Sequence, residues 1–276
     1  MGACSFCTNL VIQDHCGICL FLAGKKQESI EQMPESDVKT DRIWCVIPVY
    51  NNCATVKSVA DKCSLYLKNI LVVDDGSTDA NIAQMFAGSD IKVISHEKNR
   101  GKGEAIISAA KYIAEKDGLF MITIDADGQH YPKDLKKFIP LLQDDETSIV
   151  VGCRNFNIKN VPGSSRFGRK FASFWLRVET GITLNDCQSG FRAYPLKYIS
   201  RMKFYGSHYD FEAEILARAV WAGLKLKTVD IEVWYPKSQE RISAFKPITD
   251  NVRISLMHTR LVGRRLLQLI LFKKEM

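Results

Sequence analysis

The chain has 276 residues, of which 46% are hydrophobic and 25% are charged, values typical of a globular protein that can form one large α/β domain. It contains no run of 18 consecutive apolar residues, and its start lacks the features of a signal peptide, so we expect a cytosolic protein without a transmembrane helix. The net charge of +7 is unevenly distributed, because residues 151–276 carry 22 Lys+Arg but only 10 Asp+Glu. Such a basic half suits a phosphorylated ligand, an anionic membrane surface or nucleic acid.

Two Cys-x-x-Cys pairs mark the first 24 residues. Four thiolates in two such pairs can hold a tetrahedral Zn²⁺, although the eight residues between the pairs would form a tight loop. The candidate zinc ligands are Cys4, Cys7, Cys16 and Cys19. The alternative is a cysteine-rich extension without metal. Because 25–42 is polar, residues 1–42 are predicted to be an N-terminal extension and linker.

The next part of the chain alternates between strand and helix patterns. Short apolar runs predict strands over 43–47, 70–73, 91–94, 119–124 and 148–152. Apolar residues at helical spacing predict helices between them, over 54–67, about 102–114 and 132–142. This alternation indicates a three-layer α/β/α fold with a mostly parallel central sheet.

After residue 154 the alternation is lost. The sequence predicts a helix with basic and aromatic residues over 166–177, a turn-rich loop over 182–192 and a helix over 211–221. A strand over 229–235 and a polar loop over 239–246 are predicted to follow.

The turn Asp125-Ala126-Asp127 follows the buried strand 119–124. Ligands in α/β sheets bind at the carboxyl ends of strands, and two carboxylates in one site need a compensating charge. Mg²⁺ is typically held by one or two carboxylates together with substrate phosphates. The sequence therefore suggests a metal–diphosphate site, and the alternative is an ordinary polar turn, which Asp and Gly also favour.

Four stretches occur in one order: IPVYNN at 47–52, VVDDGSTD at 72–79, NRGKGEA at 99–105 and DADGQH at 125–130. Together they resemble the inverting family 2 glycosyltransferases with the GT-A fold, in particular the dolichyl- and polyprenyl-phosphate sugar synthases. Three later stretches fit the same branch: RFGRKFAS at 166–173, DCQSGFR at 186–192 and ERISAFK at 240–246. The resemblance covers residues 43–246 and implies metal-dependent transfer of a sugar from a UDP- or GDP-sugar.

The resemblance also implies roles for individual residues. It implies that the nucleotide-sugar donor contacts Pro48, Tyr50, Asn51, Asp75, Lys102, Asp125, Asp127 and Arg241. It places Mg²⁺ or Mn²⁺ on Asp125, Asp127 and Gln129. It assigns the acceptor phosphate to Arg154, Arg169 and Ser173. For catalysis it points to Asp127 and Arg241, which would stabilise the leaving diphosphate.

The acceptor decides whether a catalytic base is needed. A hydroxyl acceptor needs one, for which Asp186 is the candidate, with Asp210 and Glu212 behind it. A phosphate monoester is already ionised at neutral pH and needs cations instead, such as Arg154 and Arg169. We therefore expect a polyprenyl or dolichyl phosphate acceptor. The alternatives are a hydroxyl acceptor on a glycan or lipid, and a non-catalytic protein that binds nucleotide sugars.

The third predicted region, 247–276, contains a basic amphipathic helix over 249–272. Its basic residues are Arg253, Arg260, Arg264 and Arg265, and its apolar residues are Ile254, Leu256, Leu261, Leu266, Leu267, Leu269 and Ile270. The apolar side can lie in lipid headgroups or face the protein core. We expect peripheral association with the cytoplasmic face of a membrane, where a membrane protein is a candidate partner. Nucleic acid is not expected, because the basic residues form no recognised binding motif.

Overall fold

The computed structural model describes residues 40–155, 163–234 and 247–272, which belong to one compact unit. The described strands form one seven-stranded sheet with the spatial order β3-β2-β1-β4-β6-β5-β7. These strands are β1 (Ile43–Val49), β2 (Asn69–Asp74), β3 (Lys92–Ser95), β4 (Phe120–Thr123), β5 (Ser148–Arg154), β6 (Arg192–Pro195) and β7 (Lys225–Ile231). Only β6 is antiparallel to its neighbours, so the prediction of a mostly parallel sheet is confirmed.

Helices cover both faces of the sheet. They are α1 (Cys53–Cys63), α2 (Ile82–Met85), α3 (Lys102–Ala114), α4 (Leu135–Asp144), α5 (Gly163–Thr180), α6 (Leu196–Ile199), α7 (Asp210–Trp221) and α8 (Pro247–Phe272). One hydrophobic core joins one face of the sheet to α1, α2 and α4, and a second core joins the other face to α3, α5, α7 and α8. The apolar residues of the strands alternate between these cores, which gives the three predicted layers.

The carboxyl ends of β1, β2 and β4 meet at one edge of the sheet. Val49 at the end of β1 pairs with Asp74 of β2, and Val46 pairs with Thr123, the last residue of β4. Pro48 lies beyond the last pair between β1 and β4, so its missing N–H costs no hydrogen bond in that ladder. The acidic turns that follow β2 and β4 therefore lie at the same edge, on the two sides of β1.

The strand predictions were wrong in two places. The sequence predicts a loop over 182–192 and no strand after it, but β6 begins at Arg192 and pairs with both β4 and β5. All four residues of β6 are buried, so it lacks the alternation that marks a half-exposed strand. β7 begins at Lys225 rather than at residue 229, because it is an edge strand whose lysines resemble a loop sequence.

Helix α8 is amphipathic, as predicted, and its apolar residues lie on two different faces. Met257 and Leu261 are buried in the core shared with α5 and α7. The exposed apolar side chains of α8 are Val252, Leu256, Leu266, Leu267 and Ile270. The core-facing interpretation is therefore confirmed for Met257 and Leu261, and contact of the exposed side chains with lipid headgroups stays a prediction. Within the described ranges, no helix has both the length and the hydropathy needed to cross a membrane.

Three predictions are left open by the described residues. The four N-terminal cysteines lie outside them, so the structural zinc site stays a prediction. Arg241 also lies outside them, so its role at the donor diphosphate stays a prediction. The division of the chain after residues 42 and 246 is likewise a prediction.

Candidate active site

A cavity of about 470 Å³ opens at the edge where β1, β2 and β4 end. Its wall is formed by these strand ends, the start of α3, the turn before α7 and the first turns of α8. It brings together seven of the residues predicted to bind donor or metal: Pro48, Tyr50, Asp75, Lys102, Asp125, Asp127 and Gln129. We call it the donor cavity. It also contains residues that the sequence analysis did not select, among them Asn52, His208, Tyr209 and Arg253.

Asp75 anchors the glycine loop that begins α3. Its Oδ1 accepts hydrogen bonds from the Arg100 N–H at 2.9 Å, and its Oδ2 accepts one from the Gly101 N–H at 2.8 Å. The ring nitrogen Nδ1 of His96 lies 2.7 Å from the same Oδ1. Gly101 has φ 97°, a conformation that suits glycine. The buried carboxylate thus holds the backbone of this loop at the donor cavity.

Asn51 connects two loops and is not among the residues that line the cavity. Its side-chain oxygen accepts a hydrogen bond from the Thr78 N–H at 2.8 Å, and its own N–H donates to Ser77 Oγ at 3.1 Å. The neighbouring Asn52 does line the cavity, and its buried Oδ1 has no partner among the described residues. Asn52 is therefore the better placed of the two amides to accept a hydrogen bond from a ligand.

Lys102 lines the donor cavity and forms ion pairs with two carboxylates there. Its Nζ lies 2.6 Å from Asp125 Oδ1 and 2.6 Å from Glu212 Oε1. Burial disfavours the charged form of Asp125, but Lys102 and the nearby His130 outweigh it and hold the pKa of this carboxyl well below its usual range. Burial likewise opposes the charge of Lys102, whereas the two carboxylates raise its pKa. Asp125 is thus an ionised carboxylate that already has a cation.

Asp127 differs from Asp125 in its electrostatic environment. Burial and the negative charge of Asp125 raise the pKa of the Asp127 carboxyl. Its Oδ1 accepts a hydrogen bond from the Gln129 N–H at 2.9 Å. No ion pair of Asp127 occurs among the described residues. A carboxylate with a raised pKa and a neighbouring amide oxygen form a donor set that suits a hard divalent cation.

The described residues supply few ligands for the predicted metal ion. Within the described ranges, no three His, Cys, Asp or Glu side chains are grouped so that they could hold a metal ion. Asp127 and Gln129 fit a Mg²⁺ or Mn²⁺ ion whose other ligands are water and substrate phosphates. Asp125 is the less available of the two carboxylates, because Lys102 occupies its Oδ1.

Arg192 fixes the loop beneath the cavity, although the sequence analysis gave it no role. Its fully buried guanidinium donates hydrogen bonds to the carbonyl oxygens of Cys187 at 2.7 Å, Ser189 at 2.6 Å and Glu212 at 2.6 Å. These bonds join the 187–190 loop to the first turn of α7. Arg192 is the first residue of β6, and the short sequence of this strand gave no signal that the arginine would be buried.

Comparison with known proteins places the chain in a family. The profile described as Glycosyl transferase family 2 matches residues 44–202. The UDP-N-acetylglucosamine–dolichyl-phosphate N-acetylglucosaminyltransferase of Methanococcus voltae is 31% identical over 216 residues, which cover 70% of this chain and 86% of that protein. The chain belongs to glycosyl transferase family 2. This family 2 protein is therefore a nucleotide-sugar-dependent glycosyltransferase.

A further relative and a solved structure are also similar to the chain. The polyprenol monophosphomannose synthase of Mycolicibacterium smegmatis is 24% identical over 221 residues, which cover 75% of this chain and 83% of that protein. Glucosyl-3-phosphoglycerate synthase of Mycobacterium tuberculosis, crystallised with Mn²⁺, UDP-glucose and phosphoglyceric acid, matches with a TM-score of 0.60 and 22% identity over 85% of each chain. The match confirms the GT-A fold, and because the identity is low it shows the fold alone. Nothing in these comparisons supports zinc.

The residues predicted to bind the acceptor lie elsewhere in this glycosyltransferase. Arg154 donates hydrogen bonds from Nε and Nη2 to the two oxygens of Asp186, at 2.7 and 2.9 Å. Asp186 is fully buried, and although burial opposes its charge, Arg154 lowers the pKa of its carboxyl. Ser173 Oγ lies 3.6 Å from Cys187 Sγ. The structure thus brings Arg154 and Ser173 to adjacent residues of one loop, whereas none of these residues, nor Arg169, is among those that line the donor cavity.

This arrangement bears on the candidate bases. Asp186 is engaged by a guanidinium in bidentate geometry, which favours its ionised form but occupies both of its oxygens. Glu212 is engaged by Lys102. Asp210 accepts a hydrogen bond from the His208 N–H at 3.0 Å, at the start of α7. A base role for Asp186 therefore stays a prediction that requires this ion pair to open.

Gly190→Ala is expected to weaken donor binding. A Cβ at this position would lie 2.5 Å from Asp125 Oδ2 and 2.6 Å from Lys102 Nζ, so it would displace both ends of their ion pair. Overpacking typically costs about 1–3 kcal/mol, and we expect nucleoside diphosphate affinity, measured by calorimetry, to fall roughly tenfold or more. Gly263→Ala is the control, because nothing lies within 4 Å of a Cβ there. Equal affinities of the two variants would contradict the prediction.

Proposed function

We propose that this family 2 glycosyltransferase transfers a sugar, with inversion, from a UDP- or GDP-sugar to a polyprenyl phosphate at the cytoplasmic face of a membrane. The observation that carries the proposal is the donor cavity at the end of β4, where Asp125 is paired with Lys102 and the neighbouring Asp127 forms no ion pair with any described residue. The acceptor follows from two relatives, one named for transfer to dolichyl phosphate and the other for synthesis of polyprenol monophosphomannose.

The described residues have distinct tasks in donor binding. Asn52 offers an unpaired acceptor for a donor N–H or hydroxyl, and the loop held by Asp75 presents its backbone to the ligand. Asp127 and Gln129 would hold Mg²⁺ or Mn²⁺, which would supply positive charge for the leaving diphosphate. Arg253 of α8 adds a cation to the same cavity. Its Nη1 lies 3.2 Å from Asp250 Oδ1, and its side chain is 41% exposed, so it can also reach a bound phosphate.

The transfer requires little proton chemistry from the protein. An oxygen of the acceptor phosphate attacks the anomeric carbon from the side opposite the diphosphate, and the bond between that carbon and the diphosphate oxygen breaks. A phosphate monoester has a second pKa near 6, so its oxygen is already ionised at neutral pH. The protein's main task is then to position donor and acceptor in line. This agrees with a site in which Asp125, Asp186 and Glu212 are all engaged in ion pairs.

The test compares two acceptors that differ only in the reacting group. The purified full chain is incubated with Mn²⁺ and a panel of UDP- and GDP-sugars, with either a polyprenyl phosphate or the corresponding polyprenol in detergent. We expect mass spectrometry to find a sugar-phosphate-lipid product and no glycosylated polyprenol. Transfer to the polyprenol would instead indicate a hydroxyl acceptor. Stabilisation by nucleotide sugars without transfer to either lipid would indicate a binding protein.

A further inference from the structure

A second cavity, of about 210 Å³, lies between α7 and α8. Among the described residues, none that lines it also lines the donor cavity. Its charged lining residues are Lys203, Arg218 and Arg264, and its aromatic lining residue is Trp221. Because one water occupies about 30 Å³ in the liquid, the volume has room for a phosphate group and several waters.

The cations around this cavity exceed the nearby negative charge. Arg218 Nε lies 2.7 Å from Oε1 of the fully buried Glu214, and Arg260 Nη2 lies 3.5 Å from the same oxygen. Lys203 and Arg264 form no ion pair among the described residues. The guanidinium of Arg264 lies 5.3 Å from the centre of the Trp221 ring. Glu214 thus pairs with Arg218 and Arg260, whereas Lys203 and Arg264 add two positive charges to the cavity lining that no described carboxylate pairs with, so the cavity has the charge to bind an anion.

Exposed apolar side chains continue from these cations along α8. Residues three or four apart are neighbours on a helix surface, so Leu256, Arg260, Arg264, Leu267 and Ile270 form one ridge. Leu256 is 66% exposed, and Leu267 and Ile270 are each 61% exposed. We call these five residues the α8 ridge. A surface that alternates arginine with leucine and isoleucine suits the boundary between lipid headgroups and acyl chains.

An aromatic side chain extends the α8 ridge towards α7. The Tyr205 ring is 69% exposed and lies between two guanidinium groups, with Arg260 at 4.5 Å and Arg218 at 4.9 Å from its centre. Tyrosine and tryptophan are enriched at membrane–water interfaces, where the ring is apolar at one end and polar at the other. The second cavity and the α8 ridge thus present phosphate-binding and lipid-binding groups on one side of the molecule.

We infer that the second cavity binds the phosphate of an anionic phospholipid while Leu256, Leu267 and Ile270 enter the headgroup region of the same membrane. The inference rests on the proposed function, because a polyprenyl phosphate acceptor resides in a membrane. A second copy of the chain is a poorer occupant of this surface. A symmetric contact between two α8 ridges would bring Arg260 and Arg264 against the same arginines of the other copy, and like charges in contact oppose association.

Vesicle co-sedimentation of the full chain tests this inference. Wild-type protein should bind phosphatidylcholine vesicles that contain phosphatidylglycerol and bind pure phosphatidylcholine vesicles weakly. Lys203→Ala/Arg264→Ala should weaken binding to the anionic vesicles roughly 30-fold, because two cations near the surface are lost. Leu256→Ser/Leu267→Ser should weaken it about tenfold or more through lost apolar burial. The matched control is Lys62→Ala/Lys68→Ala, which removes the same charge from exposed lysines in α1 and the turn after it.

Three outcomes would overturn the inference. Lys203→Ala/Arg264→Ala could bind like the lysine control, which would exclude the second cavity. Leu256→Ser/Leu267→Ser could bind like wild type, which would indicate a site for phosphate alone. The lipid-free protein could sediment as a dimer that the serine variant dissociates, which would make the α8 ridge a contact between copies.

The vesicles contain no polyprenyl phosphate, so their binding is independent of catalysis. Transfer to a short-chain, water-soluble polyprenyl phosphate is measured separately on the same variants. Retained transfer with lost vesicle binding supports the inference. Intact vesicle binding by a wild-type protein without transfer would contradict only the proposed function.

Discussion

Asp127→Asn is expected to lower sugar transfer by roughly 10²- to 10³-fold or more, with the fold intact. The substitution keeps the shape of the side chain and an oxygen that can accept the Gln129 N–H, but it removes a carboxylate that forms no ion pair with any described residue. Because Asp127 is ionised against burial and the charge of Asp125, the free energy of unfolding should stay the same or rise. Turnover with saturating donor and thermal unfolding of the same preparation measure the two effects.

Asp61→Asn is the matched control for this change. Asp61 is exposed on α1, and its one ion pair with a described residue is to Lys57, at 3.4 Å. The pH dependence adds a second check. Binding of Mn²⁺ requires ionised Asp127, whose pKa is raised, so wild-type affinity should increase as the pH rises through that pKa and then level off. The asparagine variant should lose this dependence. Wild-type turnover in Asp127→Asn would refute the assignment of the metal site.

Lys102→Met is expected to cause the largest loss of stability, about 3–5 kcal/mol, because it leaves two mostly buried carboxylates without their shared cation. Asp125 has a lowered pKa in the folded protein, so its pairing stabilises the fold above the pKa of the unfolded chain, and this contribution is lost as the pH falls. In the variant the carboxylates can take up protons, so the difference in the free energy of unfolding between variant and wild type should shrink at acid pH. Urea unfolding at several pH values measures this difference.

Two further variants make the result interpretable. Lys111→Met removes an exposed lysine from the same helix and should change stability by no more than about 0.5 kcal/mol. Lys102→Met/Glu212→Gln removes one of the two unpaired charges and should recover part of the loss. If Lys102→Met were as stable as Lys111→Met, the ion pairs of Lys102 with Asp125 and Glu212 would not stabilise the fold.

The donor half of the fold was predictable because its signals are local. The apolar runs that form β1, β2 and β4 are short and bounded by turns, and the helices α1 and α3 between them have apolar residues at helical spacing. The acidic turns after β2 and β4 were predictable neighbours in space, because the carboxyl ends of parallel strands lie at the same edge of a sheet. The first four stretches that resemble family 2 glycosyltransferases, at 47–52, 72–79, 99–105 and 125–130, also lie in this half.

The other half depends on contacts between distant residues. β6 is a strand only because it fills the gap between β4 and β5, and its sequence Arg192-Ala193-Tyr194-Pro195 has weak strand signals. Lys102 and Glu212 are 110 residues apart in the sequence, and they pair because the fold places the start of α7 beside the start of α3. The bidentate contact between Arg154 and Asp186 could not be inferred from two separate motifs. The resemblance implied that Arg154 and Arg169 bind the acceptor phosphate, but it could not show that Asp186 pairs with Arg154.

Helix α8 contributes Arg253 to the donor cavity near one end and carries Leu267 and Ile270 near the other. At 1.5 Å per residue, about 25 Å of continuous helix separates Arg253 from Ile270. The same helix therefore connects the donor cavity to the α8 ridge, so a shift of the helix at either place would move the other. Thermodynamic linkage makes such coupling reciprocal. If membrane binding at the α8 ridge changes the affinity for a sugar nucleotide by some factor, the sugar nucleotide changes the affinity for the membrane by the same factor.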